Sequence, residues 1–359
     1  MPRDALVFVG TYTRGGSEGI YPYCLDLATG ALERLAGAGK VENPSFLAVA
    51  PNGRFLYAVS ETESFAGGQS GAVSAFSLDP ATGGLSLLNQ QPSEGRGPCF
   101  VSVDGTGSCA LVANYSGGSV AQLPIRSDGS LGPATGKVQH QGSSVDPKRQ
   151  QGPYAHSIYP DPTNRFAFAV DLGLDQILCY RLDPKDGRLP PHDVPWTPVA
   201  PGAGPRHFAF HPNGRFGYAI TEMGNTVVVF AYDAARGTLS EVQTVSTLPP
   251  DFTGTSYCAE VQLTPDGRFL YGSNRYHDSI AVFAVDGGTG RLSLVEIVPC
   301  EGKNPRHFGI DPTGSFLLAA GMESDSIAVF RIDRESGRLS TTGHRIELPS
   351  PVCVRFLLR

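Results

Sequence analysis

The sequence predicts an all-β fold: a seven-bladed β-propeller of four-stranded antiparallel blades, one domain spanning residues 1–359. Three observations predict it: a phrase that recurs along the chain, a high content of turn residues, and a seventh copy divided between the two ends. The phrase is Asn43-Pro-Ser-Phe-Leu-Ala-Val-Ala-Pro-Asn-Gly-Arg-Phe-Leu-Tyr57. It returns over Gly204–Tyr218, Ala259–Tyr271 and Asn304–Leu318, with weaker copies beginning at Gly97 and Gly152. The copies are spaced by roughly 45 to 55 residues, the spacing of propeller blades.

Each copy reads as four short strands. An alternating strand A ends in a Pro-Asn-Gly or Pro-Asp-Gly turn, where Pro presets φ and Gly accepts a positive one. An apolar strand B follows: Phe55–Ser60, Cys109–Ala113, Phe166–Val170, Phe216–Thr221, Phe269–Ser273 and Phe316–Ala320. A β-branched strand C comes next, as in Thr226–Tyr232, Ser279–Val285 and Ser326–Ile332. A Thr-Gly-Arg-Leu type of turn then leads to an outer strand D such as Leu292–Val298. Six copies are continuous. For the seventh, Pro351–Leu358 supplies strand A, and Leu6–Thr11, Ile20–Leu25 and Leu32–Leu35 supply B, C and D. Pairing the chain ends in one sheet removes the exposed edges of an open array; a six-bladed ring with loose ends is the rival arrangement. Two segments, Val138–Gly152 and the proline-rich Pro190–Gly204 with the only tryptophan, Trp196, read as long loops leading from an outer strand to the next inner one.

Composition narrows the function. Apolar residues form 40% of the chain and charged residues 17%, which suits a packed core and not a disordered chain. With 44 glycines and 29 prolines, turns are frequent. A net charge of −6 argues against nucleic acid, and no apolar run approaches a membrane span. The start, Met1-Pro-Arg-Asp4, lacks the apolar run of a secretory signal, and the seven cysteines (Cys24, Cys99, Cys109, Cys179, Cys258, Cys300, Cys353) show no framework spacing. These features lead us to expect a cytoplasmic protein with reduced, mostly buried thiols, monomeric or homodimeric.

Strands A and B are antiparallel neighbours, so the start of A and the end of B meet at one rim. The ends of B bring Glu61, Asn114, Asp171, Glu222 and Asn274-Arg275 to it. The starts of A bring Cys99, His156, Arg206-His207, Glu260 and Arg306-His307. The opposite rim carries only the Pro-Asn-Gly turns. Arg206, Arg275 and Arg306 with His156, His207 and His307 would form a cationic floor on an acidic protein, suited to an anionic small molecule. Glu222 is the first choice for a general base. Arg206 and Arg306 also admit a structural reading, as ion-pair partners between blades, and so does one of the equivalently placed Glu61 and Glu222, as the partner of an arginine. His211 reads as structural, and His140, His192, His277 and His344 as incidental.

Five ordered segments carry a resemblance: Gly142–His156, Gly202–Pro212, Thr221-Glu-Met223, Ala259–Arg275 and Asn304–Pro312. With them the chain resembles the seven-bladed propeller lactonases, a family that includes one type of 6-phosphogluconolactonase and a carboxy-cis,cis-muconate cyclase. The resemblance covers essentially the whole chain. It implies a catalytic set of His156, Glu222, Arg206 and Arg275, with Glu222 activating water, the arginines holding the anionic group and the oxyanion, and His156 passing a proton to the leaving alkoxide. His207, Arg306, His307, Asn114, Asp171, Glu260 and Glu61 are the accompanying substrate-contact candidates. Relatives often carry His where this chain has Tyr154. No cofactor is expected. The leading expectation is hydrolysis of an anionic sugar lactone; lactone closure, a divalent-metal hydrolase using Glu61, Asn114, Asp171 and Glu222, and a non-catalytic binding propeller are the alternatives.

Overall fold

The computed structural model describes residues 3–183 and 187–359, so Met1 and Pro2 of the N-terminal start lie outside it. Every regular element described is a strand, and the strands form seven antiparallel sheets. Blade 1 runs, from the axis outwards, Leu47–Val49, Phe55–Ser60, Ala72–Leu78 and Leu85–Pro92. Blade 2 holds Pro98–Val103, Cys109–Asn114, Ser119–Pro124 and Gly136–Gln139. Blade 3 holds Ala155–Pro160, Phe166–Asp171, Gln176–Arg181 and Pro191–Pro198. Blade 4 comprises Pro205–Phe210, Phe216–Thr221, Thr226–Asp233 and Thr238–Ser246; blade 5, Tyr257–Leu263, Phe269–Arg275, Ser279–Val285 and Leu292–Pro299; blade 6, Pro305–Ile310, Phe316–Gly321, Ser326–Ile332 and Leu339–Glu347.

Blade 7 is the shared one. Pro351–Leu358 pairs antiparallel with Asp4–Thr11, from Ala5 opposite Leu358 to Thr11 opposite Pro351, and Gly19–Asp26 and Leu32–Arg34 complete the sheet. The short strand Gly39–Lys40 adds a further pairing to Gly19–Asp26. Blade 7 is fastened to blade 1 by the Arg355 Nε donating to the Leu47 carbonyl at 2.9 Å.

The recurring Phe-x-Tyr of strand B has a physical role that its periodicity alone does not show. Both rings lie on the same face of the strand. Tyr57, Tyr218 and Tyr271 donate their hydroxyls across to the carbonyls of Gly129, Gly290 and Gly337 in the following blade, at 3.0, 3.1 and 2.7 Å. Phe55, Phe216 and Phe269 pack flat against those same glycines. At Gly290, with φ of 74°, a Cβ would lie 2.5 Å from the Phe216 ring, so the site needs glycine both for its conformation and for the close approach. Three junctions, between blades 1 and 2, 4 and 5, and 5 and 6, are thus joined side to side by aromatic contact plus one satisfied hydroxyl each.

One of the two expected loops is corrected. Pro190–Gly204 is mostly strand, because Pro191–Pro198 is the outermost strand of blade 3. Its prolines are tolerated there because an edge strand has one row of unpaired N–H groups, and the pairing is irregular between Leu178 and Tyr180. Val138 and Gln139 likewise belong to the outer strand of blade 2, leaving 140–154 as the true insertion. All seven cysteines are free, and all but Cys24 are buried.

Deleting Pro351–Arg359 removes the innermost strand of blade 7 and exposes the edge of Asp4–Thr11. The truncated protein is expected to aggregate or to lose its cooperative melting transition, as read by thermal denaturation and light scattering. An unchanged melting temperature in a monodisperse sample would refute the role of this pairing in closure.

Candidate active site

The inner strands place functional side chains by a repeated irregularity. In six blades the inner strand carries one extra residue at its start: Cys99, His156, Arg206, Arg306 and Val352 singly, and Ala259-Glu260 opposite Ser273. Such a bulge re-aims a side chain. The result is a ring of side chains around the propeller axis. Cys99, Arg206, Arg306 and Val352, with Ser45, Phe46, Glu61, His207 and His307, line a small cavity there of about 10 Å³, room for roughly one water-sized atom.

The second contribution comes from the residue at the end of strand B or just beyond it. It stands eight residues after the turn residue in each repeat: Glu61 after Gly53, Tyr115 after Gly107, Leu172 after Asn164, Glu222 after Gly214, Arg275 after Gly267 and Met322 after Gly314. Asn114 and Asp171 stand one position earlier, and a shift of one residue turns a strand side chain to the opposite face. Both are therefore corrected as candidate contacts. Asn114 is fully buried and bonds to the Ser93 carbonyl and Ser119. Asp171 is fully buried too: one oxygen accepts the N–H groups of Tyr154, Gly173 and Leu174, and the other lies 2.6 Å from His140 Nδ1. His140 is accordingly a buried structural partner rather than incidental. His192 is also buried, whereas His211 bridges to the Gly267 carbonyl as expected of a structural residue.

Glu222 is the hub. Its Oε1 accepts from Arg149 Nη2 at 2.5 Å, and its Oε2 lies 2.7 Å from Arg275 Nη2 and 3.2 Å from Arg206 Nε. The Arg206 N–H is not aimed at that oxygen and has no hydrogen-bond acceptor, so this last contact is an ion pair only. Burial pushes the Glu222 carboxyl up, but Arg275 and Arg206 beside it more than offset this and hold it well below the usual carboxylate range. The proton-accepting role expected for Glu222 competes with the guanidiniums on both of its oxygens; its geometry is that of an anion organising three of them. Arg206 is itself pulled down to about 10 by burial and by Arg306 and Arg275 nearby.

His156 is buried, with Nδ1 3.7 Å from Cys99 Sγ and its ring edge-on to Tyr115 and His207. Burial, then Arg206 and His207, lower its pKa well below the ordinary histidine value, so the imidazole is neutral. Glu61 is tied to Tyr12, whose hydroxyl reaches both carboxylate oxygens at 3.2 and 3.1 Å, and Arg306 lies over the Tyr12 ring at 5.7 Å.

Beneath this layer sits a second one. Arg206 Nη1 donates to His207 Nε2 at 3.4 Å, which leaves His207 Nδ1–H to donate to Glu260 Oε2 at 2.8 Å. The Val354 N–H donates to His307 Nδ1, so Nε2–H of His307 faces the same Glu260 oxygen at 3.3 Å, though off the hydrogen-bond line. Glu260, His207 and His307 are thus the plug under the site, with Phe46 and Phe100 packed edge-on to His207, and are not at the rim.

Sequence reasoning missed Arg149, Tyr12, Tyr115 and Tyr257. Tyr115 carries a signal, the fixed offset from the turn, which Tyr12 lacks because the strand before it opens the chain. Arg149 carries none, because it lies in the insertion. The four oxygen ligands weighed for a metal do not converge: Asp171 and Asn114 are sealed in their blades and Glu222 is held by arginines. Among the described residues no group of three His, Cys, Asp or Glu side chains is placed to hold an ion.

One mouth of the ring therefore gathers a surplus of guanidinium charge around a neutral imidazole, and the fold and this mouth together define a charged-mouthed seven-bladed propeller. Residues 6–356 match the family described as a seven-bladed β-propeller lactonase, and the chain belongs to that family. It is 42% identical over 350 residues to a 6-phosphogluconolactonase of Bacillus subtilis, covering 98% of this chain and 97% of the relative. A 6-phosphogluconolactonase of Formosa agariphila is 32% identical over 310 residues, covering 85% and 86%. The structure of the Pseudomonas aeruginosa periplasmic gluconolactonase, PpgL, superposes with a TM-score of 0.93 at 37% identity, covering 99% of each chain.

Three histidines, His156, His207 and His307, are held neutral here, His307 down to about 3. Burial is the main cause in each. Below the ordinary histidine pKa of about 6.5 the unfolded chain takes up protons that the folded one refuses, so this stability is present above that pH and lost as pH falls. Each such proton contributes a slope of about 1.4 kcal/mol per pH unit. Urea unfolding is expected to show a clear loss of stability between pH 7.5 and 5.5; equal stability at both would contradict the neutral assignment.

Proposed function

We propose that this protein hydrolyses 6-phosphogluconolactone, opening the ring to the free acid. The observation that carries the reading is the neutral, buried His156 set among Arg206, Arg275 and Arg306, four groups suited to water attack on a carbonyl of an anionic lactone. The names of the relatives support ring opening over ring closure, and those of the first two support the phosphorylated substrate.

In this reading the lactone carbonyl points at the axial cavity between Arg206 and Arg306, where developing negative charge meets fixed positive charge in a water-poor site. The neutral imidazole of His156 takes the proton of the attacking water. The charge growing on the oxyanion raises the basicity of that imidazole as the proton moves. The imidazolium formed, well above its resting energy, then gives the proton to the departing ring oxygen, so one residue acts as base and then as acid. Glu222 remains ionised and fixes the guanidiniums at the distances the oxyanion requires. Arg275 faces the rest of the substrate. Glu260 and His207 orient Arg206 from below.

Two variants separate the roles. His156→Ala is expected to lower kcat by roughly 10²–10⁴ with a normal melting temperature and little change in KM. Glu222→Gln is expected to lower stability by about 1–3 kcal/mol and raise KM, because it leaves clustered guanidiniums without their anion. Melting temperature and initial rates on one preparation of each decide the matter. A fully active His156→Ala enzyme, or a stable Glu222→Gln enzyme that has lost only kcat, would reverse the assignment.

A further inference from the structure

Arg149 is placed with unusual care for a residue in an insertion. Gln150 beside it is fully buried, its side chain donating to the Leu172 carbonyl at 2.9 Å and accepting from the Asp146 N–H at 3.0 Å. Asp146 in turn caps the turn by accepting the N–H groups of Lys148 and Arg149 at 2.8 and 2.9 Å. Ser144 anchors the entry of the segment on Asp175 at 2.6 Å. The loop is thereby pinned to blade 3, and Arg149 reaches across to Glu222 in blade 4.

Glu222 does not need this third cation. Its single charge already faces Arg206 and Arg275, both nearly sealed, whereas the Arg149 side chain is 35% exposed. Four guanidiniums, from Arg149, Arg206, Arg275 and Arg306, stand with two carboxylates at the mouth, Glu61 and Glu222, and a third, Glu260, in the layer beneath that also acts on Arg206. Arg306 has no acceptor of its own within ion-pair distance among the described residues. The surplus is divided in depth. Arg206 and Arg306 lie on the axis beside His156. Arg149 and Arg275 lie together towards the rim, gripping opposite oxygens of Glu222, and both guanidiniums stand over the one Tyr257 ring, at 5.5 and 5.9 Å. Tyr115 and Tyr154, stacked at 5.0 Å, continue the wall.

We propose that Arg149 and Arg275, side by side over Tyr257, form a phosphate subsite that takes the phosphomonoester of the substrate while the lactone end sits at Arg206, Arg306 and His156. This rests on the hydrolytic reading above and adds what distinguishes a phosphorylated sugar lactone from a plain one. Two guanidiniums spaced to hold the two oxygens of one carboxylate also suit two oxygens of a phosphate. Arg149, the more exposed of the pair, exchanges Glu222 for the incoming dianion, and Arg206 and Arg275 keep Glu222 neutralised. The tyrosines flank the sugar.

The test compares full-length wild type with Arg149→Gln on 6-phosphogluconolactone and on unphosphorylated gluconolactone. The ratio of kcat/KM for the two substrates is expected to fall by roughly tenfold to a hundredfold, the size of one lost charge-assisted contact. Inorganic phosphate, used as a probe, is expected to raise the melting temperature of wild type and to do so far less in the variant. Arg149→Lys, which keeps the charge and loses the fork, should fall between the two. An unchanged substrate ratio in a folded variant, or phosphate stabilisation equal to wild type, would overturn the subsite. Should wild type hydrolyse neither lactone, the functional reading fails, and the phosphate melting shift alone still decides whether Arg149 binds the anion.

Discussion

The antiparallel pairing of Pro351–Leu358 with Asp4–Thr11 is the constraint on which the site depends. A stack of seven sheets left open would fan out, and the starts of its inner strands would lie along a line. Closing the stack brings those starts onto a circle small enough for side chains from opposite blades to share a single cavity. Arg206 of blade 4, Arg306 of blade 6, Cys99 of blade 2 and Val352 of blade 7 meet there for that reason alone. The inner-strand bulges supply the remaining rotation, turning the extra residue of each strand towards the axis.

Closure also creates an electrostatic problem. The guanidiniums of Arg206 and Arg306, carried at equivalent positions of blades 4 and 6, are forced together with Arg275 of blade 5, which together with burial lowers the pKa of Arg206. Glu222 answers part of it by pairing with three guanidiniums at once, one through a hydrogen bond. The remaining imbalance faces the mouth, where the Arg149 side chain is 35% exposed. Burial keeps the neighbouring histidines neutral, and the guanidiniums of Arg206 and Arg306 add to that effect on His156 and His207.

The plug below the floor gives this arrangement its rigidity. Each of these two imidazoles has its tautomer set by a donor on one nitrogen, Arg206 for His207 and the Val354 amide for His307; His207 donates its remaining N–H to Glu260, and that of His307 lies near the same oxygen. A buried carboxylate costs less when donors face it. Arg206 is thereby held from above by Glu222 and from below by His207, which fixes a long side chain that would otherwise carry much rotamer freedom.

Repeats are written in the sequence because every blade solves the same local problem with the same residues: a turn glycine, a Phe-x-Tyr on the second strand, a β-branched third strand. The number of blades, the divided seventh blade and the identity of the equipped rim were therefore legible, as were Arg206, Arg275, Arg306, His156 and Glu222. Register was not, because period-two alternation turns on a single residue; Asn114 and Asp171 fell one place short of the mouth, where Tyr115 and Leu172 stand instead. Proline-rich Pro191–Pro198 hid a strand, since an edge tolerates what a sheet interior does not. The role of Glu222 and the arrival of Arg149 were decided only in three dimensions. A carboxylate's proton affinity depends on the charges around it, and those charges come from parts of the chain 73 residues apart in the case of Arg149, brought together by the ring and by no local pattern.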